Sequence, residues 1–117
     1  MKQSILKDKS FAFALQVVRL SQELQQNQKV YVLSKQILRS GTAIGALVRE
    51  GEFAQSKPDF INKLSIALKE ANETEYWILL LHKAKLMNDE LAYSLQAECK
   101  ELIAMLVASV KTAKANA

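Results

Sequence analysis

Glycine and proline are scarce, with three and one in 117 residues. A β protein of this length needs more turn residues than that. Cysteine occurs once, so no intrachain disulfide can form and a reducing, cytoplasmic setting is expected. Histidine also occurs once, as His82, and the position three residues before it is Leu79. A bundle di-iron centre built on Glu-x-x-His pairs therefore has no counterpart here. His82 reads as a surface or interface histidine, and no metal or cofactor is expected. The apolar runs, such as Trp77 to Leu81, fall far short of a membrane span. The opening MKQSILKDKS has lysines without an apolar segment, unlike a secretory signal. No Walker loop, dinucleotide fingerprint or serine nucleophile elbow is found.

Helix formers are abundant: Leu, Ala, Lys, Gln and Glu dominate. Half the residues are hydrophobic and 24% are charged, which favours one folded domain over disorder. The stretch from Pro58 to Met87 runs thirty residues with no interior Gly or Pro. It predicts a helix along which the others lie. Phe60, Leu64, Ala67, Ala71, Thr74, Ile78 and Leu81 form its main stripe, widened by Ile61, Leu68, Leu79 and Leu86. Ser56 or Lys57 caps its start, and Asp59 suits the positive end of the helix dipole.

Residues 1–9 read as a polar arm or an extra turn. Ser10 reads as the N-cap of a first helix on Phe13, Val17, Leu20 and Leu24. Gln25 to Lys29 form a connector. A second helix runs from about Tyr31 to Gly51 on Val30, Leu33, Ile37, Ile44 and Val48, with Gly51 ending it. Gly41 and Gly45 sit four apart within it, each costing up to about 1 kcal/mol relative to Ala. Close approach of a neighbouring helix is the first explanation and a ligand-touching backbone the second. After Asn88, with Asp89 as cap, a last helix carries Leu91, Leu95, Cys99, Leu102, Leu106 and Val110. Four amphipathic segments with short connectors predict an all-α, up-down-up-down antiparallel four-helix bundle over 10–114, with 115–117 a frayed tail.

Function is less legible. Cys99 lies on an apolar seam and reads as a packed small hydrophobe. Glu70, Glu73 and Glu75 cluster mid-helix. A solvated or ion-paired face is the first reading, and buried pairing with Arg39 or Arg49 across helices the second. Acid–base catalysis lacks a second catalytic residue type and a lid, so no catalytic residue is expected. Tyr76 and Trp77 point about 100° apart, so one should pack inward and the other outward. The formal charge is +4, and the surplus sits in residues 1–29 on Lys2, Lys7, Lys9, Arg19 and Lys29.

Two stretches together carry a family resemblance. One is Arg39-Ser40-Gly41-Thr42-Ala43-Ile44, continuing to Glu50-Gly51. The other begins Pro58-Asp59-Phe60 and runs through Glu70 to Trp77. They resemble bacterial four-helix bundle proteins encoded in intervening sequences of large-subunit ribosomal RNA genes, relatives of the accessory variability determinant of diversity-generating retroelements. The resemblance implies a homopentameric ring without enzymatic activity. It also implies a basic surface for RNA, DNA or an RNA–DNA hybrid and, in the retroelement branch, a reverse transcriptase partner. Arg39, Ser40, Ile44, Glu50, Gly51, Asp59, Phe60, Glu70 and Trp77 are then fold or assembly determinants. Lys7, Lys9, Arg19, Lys35, Arg49 and Lys63 are the expected phosphate contacts. Relatives typically carry Asn where this chain has Leu47. The alternative function is a protein–protein scaffold that binds no nucleic acid.

Overall fold

A computed structural model describes residues 2–116, with side chains from Ile5 onward. Met1, Ala117 and the Lys2 side chain, parts of the expected arm, tail and basic cluster, lie outside the described residues. Four helices follow in order: α1 (Lys2–Gln26), α2 (Val32–Glu52), α3 (Lys57–Lys83) and α4 (Asp89–Ala115). They pack as a ring, α1 on α2, α2 on α3, α3 on α4, with a sparser α4–α1 seam closing it. The body measures 47 × 22 × 19 Å, long and thin as antiparallel rods of this length require.

The core follows the expected stripes. Phe13, Val17, Leu20 and Leu24 of α1 are buried, as are Ile37, Ile44 and Val48 of α2. From α3 come Leu64, Ala67, Ala71, Thr74, Ile78 and Leu81, and from α4 Leu95, Cys99, Leu102 and Leu106. Burying each large aliphatic or aromatic side chain stabilises the fold by roughly 1.5–3 kcal/mol. Leu47 packs half-buried against this core as an apolar residue.

Boundaries differ from the sequence expectation in four places. First, α1 begins at Lys2, so the expected arm is helix. Leu6, seven residues before Phe13, extends the apolar seam upstream and is buried. Ser10 is a buried mid-helix residue whose hydroxyl donates back to the Lys7 carbonyl (3.1 Å), not a cap.

Second, Gly51 does not end α2. It has no positive φ and lies inside the last turn, where a Cβ would sit 3.4 Å from Leu64 Cδ2. Third, α3 stops at Lys83, short of Met87. Lys85 enters the left-handed region (φ 64°), and the Leu86 N–H reaches back to the Leu81 carbonyl (3.0 Å). The Lys85 N–H bonds the His82 carbonyl (3.0 Å), completing a Schellman stop. The apolar pattern continues through Leu86 and Met87 because the returning chain packs there, not because the helix does. Fourth, the cap of α4 is Asn88, whose Oδ1 accepts from the Leu91 N–H (2.8 Å), and not Asp89.

At the start of α3 the cap is Ser56, whose Oγ accepts from the Asp59 N–H (3.2 Å). Asp59 Oδ2 in turn accepts from the Gln55 N–H (3.2 Å), so one carboxylate and one hydroxyl quiet the helix entrance.

The glycines of α2 mark close approach to α1. A Cβ at Gly41 would meet both γ-methyls of Val17, at 2.8 and 2.9 Å. One at Gly45 would meet the Ser10 carbonyl oxygen at 3.3 Å. Val17 is buried and stiff at χ1, so it cannot swing aside cheaply.

Two stability measurements follow. Gly41→Ala gains up to about 1 kcal/mol of helix propensity but suffers an overlap costing about 1–3 kcal/mol. Urea unfolding should show net destabilisation, and a more stable variant would contradict the contact. Lys85→Gly removes the left-handed strain and should raise stability by up to about 1 kcal/mol, read as a higher urea midpoint with unchanged m-value.

Candidate nucleic-acid interface

The residues of the two motif stretches meet along the α2–α3 seam. Ser40 and Thr74 are both buried at 0% exposure, with their hydroxyls 2.9 Å apart in a hydrogen bond. Thr74 Oγ1 also lies 2.7 Å from the Glu70 carbonyl. Above them the Arg39 guanidinium pairs with Glu70 (3.2 Å) and with Glu73, and Glu73 accepts the Trp77 indole N–H (3.1 Å). At the other end Glu50 pairs with Lys63 (3.2 Å), Gly51 admits Leu64, and Phe60 lies half-buried against the core. Ile44 is buried between them. Glu70 and Glu73 therefore form an ion-paired face with a half-exposed Arg39, and not the buried pair of the second reading.

The indole N–H, helped by Arg39, holds the Glu73 carboxyl below its ordinary range. The Glu73 bond in turn raises the Arg39 guanidinium above its own. Trp77 packs inward while Tyr76 is exposed, their rings edge-on at 5.1 Å.

Other candidates for chemistry are occupied structurally. The Cys99 thiol donates to the Ala71 carbonyl (3.3 Å), and burial pushes its pKa up to about 12, so it stays protonated at neutral pH. His82 Nε2 lies 2.7 Å from Asp89 Oδ1, with its ring edge-on to Tyr93 at 5.3 Å. No group of three or more His, Cys, Asp or Glu that could hold a metal occurs among the described residues. None of the helices is long and apolar enough to cross a membrane.

The six expected phosphate contacts divide in two. Lys7 pairs with Glu52 (3.4 Å), Lys9 with Glu101 (3.2 Å) and Lys63 with Glu50 (3.2 Å). These pairs bridge neighbouring helices and blunt the positive field locally. Arg19, Lys35 and Arg49 are exposed and have no ion-pair partner among the described residues. Of the three, Arg49 alone lines the groove between α1 and α2. Arg19 follows Phe11 and Leu15 at intervals of four on the outward face of α1. Lys35, Thr42 and Arg49 recur at sevens on the adjoining face of α2. Between these rows runs an open groove of about 520 Å³. Lys7, Phe11, Ala14, Thr42, Gly45 and Arg49 line it, together with Asp8 and Ala46.

Phe11 is 66% exposed on this face. Sequence reasoning placed it only as the first residue after a cap. The available signal was its phase: two residues before Phe13, it cannot share the buried seam.

The model of the family described as 23S rRNA-intervening sequence protein matches residues 2–108. The chain is also similar to a crystal structure of a protein of unknown function from the S23 ribosomal protein family of Bacteroides thetaiotaomicron. The two are 51% identical with a TM-score of 0.93, covering 95% of this chain and 99% of that one. No curated protein matches the chain.

Because the Glu73 carboxyl is held low in the folded state, its contribution is present above the ordinary carboxylate range and is lost as pH falls through the folded value. Partial exposure limits it to about 1 kcal/mol or less. Thermal melts should therefore show Glu73→Gln less stable than the parent at pH 7, with the gap closing as pH falls below the ordinary carboxylate range. An undiminished gap in acid would mean that the carboxylate charge is not its source.

Proposed function

The chain belongs to the 23S rRNA-intervening sequence protein family, and from that premise we propose that it is a non-enzymatic, homo-oligomeric bundle that binds RNA through its α1–α2 face. The observation that carries this reading is that Arg19, Lys35 and Arg49 are exposed without carboxylate partners among the described residues, with Arg49 lining the α1–α2 groove. Cations left unneutralised by the fold are the ones available to a phosphate backbone. Lys7, Lys9 and Lys63 bind phosphate more weakly in this scheme, since each must first leave a glutamate.

Three cations on one copy give little affinity. Assembly multiplies them, and several copies engaging one strand gain by effective concentration. A pentameric ring, the number implied by the family resemblance, repeats the patch five times. Exposed Tyr76 and Leu79 of α3, with Tyr93 and Val107 of α4, supply apolar surface for contacts between copies away from the basic face. A DNA strand or an RNA–DNA hybrid presents the same phosphates. A reverse transcriptase is the protein partner to seek if such a gene lies adjacent.

Binding of a structured ribosomal RNA fragment should weaken steeply between 50 and 300 mM salt. The triple substitution Arg19→Glu, Lys35→Glu and Arg49→Glu should lower affinity more than tenfold and flatten the salt slope, with helicity and light-scattering mass unchanged. The same reversal at Lys7, Lys9 and Lys63 should act less. A well-folded oligomer with no RNA affinity at 50 mM salt would reject the reading and leave a protein–protein scaffold.

A further inference from the structure

The α1–α2 face is more than a row of cations. At its middle an aromatic ring stands out from α1 over a floor of small residues. Ala14, Thr42, Gly45 and Ala46 hold the groove floor low, and Gly45 is also where the two backbones come closest on that side. Phe11 rises beside it, 66% exposed, and Leu15 one turn on is 42% exposed. Leaving a phenylalanine in water forgoes roughly 1.5–3 kcal/mol of burial. Here it has a flat, apolar neighbour-to-be defined by what surrounds it. Arg49 lies across the groove, and Lys7 one turn before Phe11 also lines it. The Asp8 carboxylate in the lining repels phosphate but accepts a hydrogen bond from an N–H.

A planar, apolar, N–H-bearing group attached to anions matches this set. Taking as premise the RNA-binding reading above, we propose that the groove receives one unpaired nucleobase stacked on Phe11, with a flanking phosphate held by Arg49. Stacking needs a base freed from its neighbours, so the face selects single-stranded or loop RNA over a duplex. The ring adds affinity without charge, and its contribution is therefore independent of salt. With no second aromatic across the groove, the face accepts any base and discriminates mainly by whether the base is free.

The test compares a twelve-nucleotide oligouridine with a twelve-base-pair RNA duplex on the full chain. Phe11→Ala should weaken oligouridine binding by about 5- to 100-fold, within the range for loss of one base–aromatic stack. Duplex affinity and both salt slopes should stay as in the parent. Exposure of Phe11 makes the substitution mild for folding, checked by circular dichroism. A second variant, Phe11→Trp, should bind oligouridine at least as tightly and lose fluorescence on binding beyond the quenching of Trp77 seen in the parent. Equal loss for strand and duplex, or no loss for either, overturns the stacking site while leaving the RNA-binding reading in place. A drop in light-scattering mass with Phe11→Ala assigns the ring to a contact between copies and also overturns it. Failure of the parent chain to bind either RNA overturns both readings together.

Discussion

One buried hydrogen bond, between the hydroxyls of Ser40 and Thr74, sets how α2 lies against α3. Apolar stripes alone tolerate sliding by a turn, because one aliphatic side chain fits another's place at modest cost. Two hydroxyls at zero exposure do not: a slip would leave one of them unpaired in the core. Around this point the ion pairs of Arg39 with Glu70 and Glu73, and of Glu50 with Lys63, repeat the same antiparallel register. No buried side-chain nitrogen or oxygen lacks a partner among the described residues, so the polar part of the core is fully used.

With α2 fixed on α3, α1 is fixed by contact on the other side of α2. Gly41 and Gly45 let the α1 backbone settle where any side chain would hold it off. That close approach also makes the outer α1–α2 surface shallow and brings two rows of outward residues near each other. The packing of the core and the shape of the candidate interface are consequences of the same two missing side chains.

The architecture was readable because periodicity reports burial directly: the stripe from Leu64 to Leu81 is the buried face of α3 residue for residue. Helix ends were less so. Lys85 gives no sign that it will turn left-handed, since lysine normally continues a helix. Ser10 looks like a cap because its neighbours look like a start, yet Leu6 continues the seam beneath it. The charged residues were least readable. Whether Lys7 or Arg49 is free depends on which carboxylate a neighbouring helix brings alongside, and that is settled by register across tens of residues. Phe11 shows the same limit, since an apolar residue off the seam is common and is usually inert.

The ring of helices closes at its sparsest seam, where α1 meets α4. Direct polar contacts there include Lys9 with Glu101 and Gln16 with Glu98, at 3.2 and 2.7 Å. The start of α1 and the end of α4 lie near the α2–α3 turn, where Lys7 pairs with Glu52 and Lys57 Nζ donates to the Asn116 carbonyl (3.1 Å). Breathing motions of the barrel wall therefore begin along the α1–α4 line, held partly by exchangeable hydrophilic links, before the α2–α3 register is disturbed. The helix that presents Phe11 thus has one edge on the seam that opens first and the other clasped to α2.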